Sequence, residues 1–190
     1  MEIKQVLKSG SSSSLLLLDK YLCSIQLHLT SQILCLSKNI LSVCDFLRSH
    51  SLLQYSSLLD IAVTDTPTAT YRYSAAYILR SYGYNNLCII RLKTNQASPI
   101  KSITSVYNGA NWLEREAWDM FGLFFSEHPD LRRLLNDYGF PWHPLQKDFP
   151  ICGFIDLFYK STKESLVYKS DALLSQNFRN LRLNSDWLRR

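Results

Sequence analysis

The sequence predicts an α+β fold, in which a small, mostly antiparallel sheet packs with helices and an irregular, extended C-terminal arm follows. The composition supports a folded core, because hydrophobic residues make up 46% of the 190 residues and charged residues only 19%. Strand-like and helix-like periods occur early in the chain, whereas four of the six prolines fall between residues 129 and 150. We therefore predict an α+β domain over residues 1–125 and an irregular docking segment with an extended arm over residues 126–190.

The N-terminal elements follow from the spacing of the apolar residues. Residues 1–18 are expected to be irregular or to form a short helix, and partial alternation over residues 21–30 predicts a half-buried strand. Ser31 is placed to cap a helix that ends near His50. The apolar residues at helical spacing in this interval are Ile33, Leu34, Leu36, Ile40, Leu41, Val43, Cys44 and Leu47.

Three more strands are predicted over residues 58–63, 71–80 and 86–93, which are rich in Tyr, Ile, Leu and Val. Turn residues at 65–67 and 83–86 separate these strands. An antiparallel meander, with one helix covering one face, is the simplest arrangement.

A loop over residues 94–101 precedes a second helix, predicted over residues 110–121. A rotation of ~100° per residue gathers an apolar arc on this helix. The arc consists of Leu113, Ala117, Trp118, Met120 and Phe121. Arg115 and Asp119, four residues apart, are predicted to face away from the arc and to pair with each other.

Glu114 is the exception on this helix, because it projects on the apolar side. A carboxylate there needs a cation or hydrogen-bond donors, and Arg132 and Arg133 are the nearest candidates in sequence. Glu116 points to nearly the opposite side, so the two glutamates cannot act together as an acid/base pair. We therefore predict an ion pair for Glu114, within the chain or across an interface, in preference to a catalytic role.

His128 and His143, each followed by proline, raise the alternative of a metal site. Asp130, Asp137 and Asp148 could supply oxygen ligands, but no established zinc-binding spacing relates the histidines. We therefore favour structural histidines, in turns that the neighbouring prolines fix and that expose side chains for docking.

Other classes of function find little support in the sequence. Five cysteines are widely spread without a C-x-x-C pair, which argues against an iron–sulfur cluster, structural zinc or a disulfide framework. The net charge of +5 comes from scattered basic residues, a pattern that does not favour nucleic acid as a partner. No nucleotide-binding or hydrolase motif occurs, and the apolar run that ends at Leu18 is too short to span a membrane.

Three consecutive motifs carry a specific family resemblance: EREAWDMFG at 114–122, HPDLRRLLNDYGF at 128–140 and HPLQKDFP at 143–150. Together they resemble the signature of the 30 kDa subunit family (the subunit 9 family) of respiratory complex I, the proton-pumping NADH:ubiquinone oxidoreductase. LLDIAVTDTP at 58–67 also fits the pattern of that family.

The resemblance implies a core subunit of the peripheral arm on the matrix side of the mitochondrial inner membrane. The chain would be part of NADH:ubiquinone reductase but would bind no redox centre itself. NADH, FMN, iron–sulfur clusters and ubiquinone would be bound by other subunits. The implied partners are the 49 kDa-type subunit and the cluster-carrying subunits of the quinone module, in a large hetero-oligomer without nucleic acid. Membrane association would occur only through the complex.

The resemblance also implies that the matching residues form an interfacial or structural clasp, with no catalytic, cofactor-binding or metal-binding residue on this chain. The clasp residues are Glu114, Arg115, Glu116, Trp118, Asp119, His128, Asp130, Arg132, Arg133, Asp137, Tyr138, His143, Lys147 and Asp148. Within this set we expect Glu114 to pair with Arg132 or Arg133, and Asp148 to pair with Lys147.

Two residues depart from the family pattern. Trp142 stands where glycine is usual and Gln146 where arginine is usual. We expect a rebuilt turn and the loss of one cationic contact there.

Two alternative functions stay open on the sequence. One is the equivalent subunit of a plastid or bacterial quinone-reducing complex, whose members share the signature. The other is a free-standing metal-dependent enzyme that uses His128, His143 and the nearby aspartates.

Overall fold

The computed structural model describes residues 22–27 and 31–169. The chain divides into two compact units, Met1–Lys147 and Asp148–Arg190. The element predicted over residues 1–18 lies outside the described part. The proposed division at residue 125 stays a prediction.

A five-stranded sheet forms the centre of the first unit, with the strand order β1-β2-β5-β4-β3. Its strands are β1 Leu22–Leu27, β2 Ser31–Cys35, β3 Ser57–Asp65, β4 Tyr73–Ser81 and β5 Asn86–Thr94. Only the β2–β5 pair is parallel, and the other three pairs are antiparallel. The predicted α+β fold and the β3-β4-β5 meander are therefore confirmed.

The helix predicted from Ser31 is wrong in its first part, because residues 31–35 form β2 and helix α1 covers only Ile40–Ser49. Ile33 pairs with Ile90 of β5, and both are buried. A short apolar run such as this fits a helical and an extended period equally well, so pairing with β5 decides its structure. The predicted end of the helix near His50 is confirmed.

The core lies between one face of the sheet and the helices. Alternate residues of β4 are buried from Tyr73 to Ser81, and α1 contributes Ile40, Val43, Cys44 and Leu47 to the same cluster. Helix α2, Ala110–Phe121, agrees with the predicted span and packs against β3. It ends at Gly122, whose φ of 78° is left-handed and whose N–H donates to Trp118 O.

Short strands flank α2. β6, Ile100–Lys101, pairs in parallel with β7, Phe125–Ser126, so the end of the predicted loop over residues 94–101 is a strand. Beyond β7 the first unit continues without further helices or strands in its described part.

The second unit contains an antiparallel hairpin of β8, Asp156–Lys160, and β9, Ser165–Lys169. These strands were not predicted, because most of their side chains are exposed on both faces and the sequence carries no clear alternation. In the described part of the chain, no helix has the length and apolar character needed to cross a membrane.

Candidate functional site

Asp119, near the C-terminal end of α2, is the centre of a buried polar cluster. Its Oδ2 accepts hydrogen bonds from the backbone N–H groups of Leu134, Leu135 and Asn136, at 3.1, 2.8 and 3.0 Å. Its Oδ1 accepts from Arg133 Nη1 at 2.6 Å and from Asn136 Nδ2 at 2.8 Å. Asp119 is fully buried, so the segment of residues 133–136 encloses the carboxylate completely. We call this group, Asp119 with residues 133–136, the Asp119 cluster.

The ionised form of Asp119 is the one that these donors recognise. Burial alone would raise the pKa of Asp119, but the N–H groups of Asn136 and Leu135, the Asn136 amide and Arg133 together hold it well below its usual value. The carboxylate therefore keeps its charge and its five donors throughout the neutral range.

Arg133 links the Asp119 cluster to the aromatic residues around it. Its guanidinium lies over the rings of Trp118 and Phe140, at 5.3 and 5.8 Å from their centroids, and Nη1 also donates to Trp142 O at 3.0 Å. Trp142 in turn packs edge-on against Phe140. Trp142, which replaces the usual glycine, thus joins this stack through both its ring and its carbonyl.

The predicted pairing of Arg115 with Asp119 on an outward face is wrong, since both residues are buried and have other partners. Arg115 donates to the backbone carbonyl groups of Arg132 and Arg133, at 3.2 and 3.4 Å, and stacks on Trp112. The irregular segment that covers α2 has backbone groups without regular partners, and these charged side chains satisfy them. A helical wheel that counts only apolar residues therefore places the buried side of α2 incorrectly.

Glu114 binds the chain that precedes α2. Its carboxylate accepts from Ser102 Oγ at 2.6 Å and from Ile103 N–H at 2.8 Å, and it is fully buried. Burial raises the pKa of Glu114 to about 7, although the two hydrogen bonds oppose this shift. His128 Nε2 lies 3.8 Å from Oε2, too far for a hydrogen bond, and burial lowers the pKa of His128.

The predicted ion pair of Glu114 with Arg132 or Arg133 is therefore wrong within this chain. Arg133 pairs with Asp119, and Arg132 forms an exposed pair with Asp130 at 3.0 Å. The donors to Glu114 instead come from Ser102 and Ile103, which precede α2 in the chain. The cation next to them in sequence, Lys101, pairs with Glu127.

The segment of residues 143–147 is also held against the C-terminal end of α2. His143 Nδ1 donates to Asp119 O at 2.9 Å, and Leu145 N–H donates to Met120 O at 3.1 Å. Gln146 Nε2 donates to Phe121 O at 2.7 Å and to the hydroxyl of Tyr73 at 3.0 Å. Gln146, which replaces the usual arginine, therefore binds through its neutral amide.

Asp65 provides the last attachment of this segment. It accepts two hydrogen bonds from Arg72, at 2.8 and 2.9 Å, and one from the backbone N–H of Lys147 at 2.9 Å. Arg72 is the main cause of a lowered pKa for Asp65, with the Lys147 N–H contributing. In the sequence Asp65 was identified only as a turn residue, two positions before Pro67, and as part of the stretch at 58–67 that fits the family pattern.

The structure divides the predicted clasp into a buried set and an exposed set. Glu114, Arg115 and Asp119 are buried, and Trp118, Arg133, His128 and His143 are largely covered. Glu116, Asp130, Arg132, Asp137, Tyr138 and Lys147 are exposed. The pair of Asp148 with Lys147 spans the boundary between the units and stays a prediction, as does an interface role for the whole set.

The buried carboxylates bind other parts of this same chain. Glu114, Asp119 and Asp65 each bind backbone donors from distant parts of the first unit. Among the described residues, no group of three or more His, Cys, Asp or Glu side chains is arranged to hold a metal ion. The fold and the site thus define an α+β protein whose buried carboxylates fix an irregular segment onto a helix.

The comparisons with known proteins give the family. Residues 33–154 match the family model described as respiratory-chain NADH dehydrogenase, 30 Kd subunit, and the chain belongs to this family. This confirms the resemblance drawn from the three sequence motifs.

Two relatives and one solved structure show how far the similarity extends. The chain is 42% identical to a subunit of the NADH-quinone oxidoreductase of Rhodospirillum rubrum over 156 residues, which cover 82% of this chain and 73% of that protein. It is 41% identical to the probable mitochondrial NADH-ubiquinone oxidoreductase 30.4 kDa subunit of the yeast Candida maltosa, covering 75% of this chain and 51% of that protein. A chain of the membrane-bound sulfane sulfur reductase, an archaeal respiratory membrane complex, shares the fold with a TM-score of 0.59 and 18% identity, over 78% of this chain and 84% of that chain.

Proposed function

We propose that this chain is a non-redox core subunit of the peripheral arm of a proton-pumping NADH:ubiquinone oxidoreductase. In this role it would dock on the 49 kDa-type subunit and scaffold the quinone module, on the matrix side of the mitochondrial inner membrane. The family membership supports a place in a large respiratory hetero-oligomer. The Candida maltosa relative is named as mitochondrial, which supports the location, and the bacterial relative keeps an equivalent bacterial complex as the second candidate.

The observation that carries the proposal is the apolar face of the hairpin in the second unit. Leu157 pairs with Tyr168, and Tyr159 pairs with Leu166, so these four side chains share one face. Each of them is more than half exposed. An isolated two-stranded hairpin is marginally stable in water, and an exposed apolar face of this kind is typical of a surface that a partner covers.

The first unit supports the same function through a rigid exposed surface. Leu135, Tyr138 and Leu145 project outwards from the segment that Asp119 and Gln146 hold against α2, and the Tyr138 side chain is fully exposed. Fixing these side chains before binding reduces the entropy that association must overcome. Tyrosine, which Tyr138 contributes here, is also one of the residues that interface centres favour.

The mechanism we propose is positioning of neighbouring subunits. Asp119 and Asp65 bind backbone donors of the segment of residues 127–147 and keep it in place, and Glu114 holds the chain that precedes α2. A site assembled from several subunits needs each of them held to a fraction of an ångström, and a rigid subunit provides that support.

The experiment places a charge on the apolar face of the hairpin and follows assembly. Cells would carry either Leu157→Asp or the control Leu52→Asp, whose side chain is equally exposed in the turn after α1. Native separation of solubilised membranes, with mass spectrometry, would measure the chain in the NADH-oxidising complex. We expect Leu157→Asp to reduce its amount about tenfold or more and Leu52→Asp to leave it unchanged. Normal incorporation of Leu157→Asp would contradict docking through this face, and absence of the wild-type chain from an intact NADH-active complex would contradict the function itself.

A further inference from the structure

A cleft of about 400 Å³ opens at the ends of β2 and β5, away from the Asp119 cluster. Its lining residues include Arg91 and Lys93 of β5, Leu36, which follows β2, and Tyr71, which precedes β4. No Asp or Glu is among the lining residues. The cleft thus combines positive charge with apolar surface.

The two cations are not neutralised within the described part of the chain. Arg91 and Lys93 are exposed and lie two residues apart on one strand, so both project from the face opposite the buried Ile90 and Leu92. Neither takes part in any of the ion pairs that the described residues form. Two like charges this close repel each other, and a carboxylate placed between them would remove that repulsion.

The shape of the surface next to the cations suits an extended segment. Arg91 lies opposite Ala76 of β4, and Lys93 lies opposite Ser74, so the sheet surface on the β4 side of the cations, next to the cleft, is formed by small side chains. On the β2 side, Leu34 lies opposite Arg91 and lines the cleft. Leu36 and Tyr71, each about half exposed, are the apolar lining residues at the β2 and β4 sides of the cleft and offer contact to an apolar side chain.

We infer that this cleft binds an acidic segment of a neighbouring subunit, in which a carboxylate stands beside an apolar side chain. The carboxylate lies between Arg91 and Lys93, and the apolar side chain packs on Leu36 and Tyr71. Charge complementarity selects the acidic partner, and the flat surface of small side chains admits a peptide backbone. The inference rests on the proposed function, because it requires the chain to be seated in a complex.

Zero-length cross-linking of the intact complex tests the inference directly. A carbodiimide joins a lysine amine to a carboxylate only when the two are in contact, and mass spectrometry identifies both peptides. Lys101 and Glu127, whose charged atoms are 3.3 Å apart, provide an internal positive control. We expect a link from Lys93 to an Asp or Glu of another subunit, and its loss in Lys93→Arg, which keeps the charge but lacks the amine.

Charge variants add a second readout. Arg91→Glu with Lys93→Glu should lower the amount of chain in the complex about tenfold, whereas Arg91→Lys with Lys93→Arg should keep it. Arg80→Glu, on β4 and outside the cleft, is the matched control for charge reversal.

The cross-linking and assembly results distinguish a failure of this inference from a failure of the proposed function. If the chain is present in the complex, a link from Lys93 to this chain's own Glu2 or Asp19 overturns the inference, because an internal segment then occupies the cleft. The Lys101–Glu127 link without any link from Lys93 also overturns it, as does normal assembly of the double Glu variant. A wild-type chain that is missing from the complex contradicts the proposed function instead.

Discussion

The backbone N–H of Lys147 donates a 2.9 Å hydrogen bond to Asp65 Oδ2, 82 residues earlier in the chain. Asp65 is the last residue of β3 and also holds Arg72 through two hydrogen bonds. A side chain at the end of a strand thereby fixes the end of the irregular segment. Loss of this carboxylate should affect the stability of the first unit in a pH-dependent way.

Asp65→Asn should lower the free energy of unfolding by about 2 kcal/mol at pH 7, because it weakens the Arg72 pair and the Lys147 bond. The lowered pKa of Asp65 means that its contribution is present above its unfolded pKa and is lost as pH falls through the folded pKa. Urea denaturation of the purified chain should therefore show a difference from wild type that persists down to the ordinary pKa of 3.8 and shrinks as the pH falls further. Asp60→Asn, at an exposed position of the same strand, is the control. A difference that is constant with pH would contradict the role of the charge.

Asp119→Asn should be the most destabilising of the single changes considered, at about 3 kcal/mol or more. The amide leaves Arg133 unpaired and presents a donor to the N–H groups that Asp119 binds. Denaturation and limited proteolysis of residues 133–142 would measure the loss of the Asp119 cluster. Glu116→Gln makes the same change, from a carboxylate to an amide, at an exposed position of α2. Its free energy of unfolding should stay within about 0.5 kcal/mol of the wild-type value. A loss below 1 kcal/mol for Asp119→Asn would show that the cluster contributes little.

Gly122→Ala should destabilise the first unit by about 2 kcal/mol, for two reasons. Its φ of 78° is unfavourable for alanine, and a Cβ there would lie 2.8 Å from His143 Cδ2. Gly109→Ala is the matched control, because its φ is −63° and its Cβ would meet no atom within 4 Å. We expect that variant to be neutral or slightly more stable in urea denaturation. Equal effects of the two changes would contradict both the cost of the left-handed φ and the clash with His143.

The sequence predicted regular elements better than the partners of buried charges. Helix α2 and the β3-β4-β5 meander follow from local periods and turn residues, and they agree with the structure. Residues 31–35 were misassigned because their partner, β5, lies more than fifty residues later. The partners of Asp119 are backbone N–H groups in an irregular segment, which no side-chain pattern can reveal. Motif resemblance identified the importance of these residues, but only the structure shows that many of them bind their own chain.

Glu114 should make the stability of the first unit depend on pH. The fold raises its pKa from 4.5 to about 7, chiefly through burial, so the folded chain prefers the neutral carboxyl. The stability that this preference contributes is fully present below the unfolded pKa and is lost as pH rises through the folded pKa. The relevant window therefore runs from about pH 4.5 to pH 7, and wild-type Glu114 becomes an ionised buried group above it. His128 is not a source of compensating positive charge at neutral pH, because burial lowers its pKa below the ordinary value of 6.5.

Glu114→Gln replaces the carboxyl by a neutral group of the same shape, and its amide oxygen still accepts from Ile103 N–H. The stability of this variant relative to wild type should therefore increase with pH, by about 3 kcal/mol between pH 5 and pH 8. Urea denaturation of the purified chain at four pH values across this range would measure the change, with Glu116→Gln, at an exposed position of the same helix, as the control. A difference for Glu114→Gln that does not change with pH would mean that Ser102 and Ile103 keep the carboxylate ionised at neutral pH. In that case the hydrogen bonds of Glu114, and not its burial, decide its charge in the folded chain.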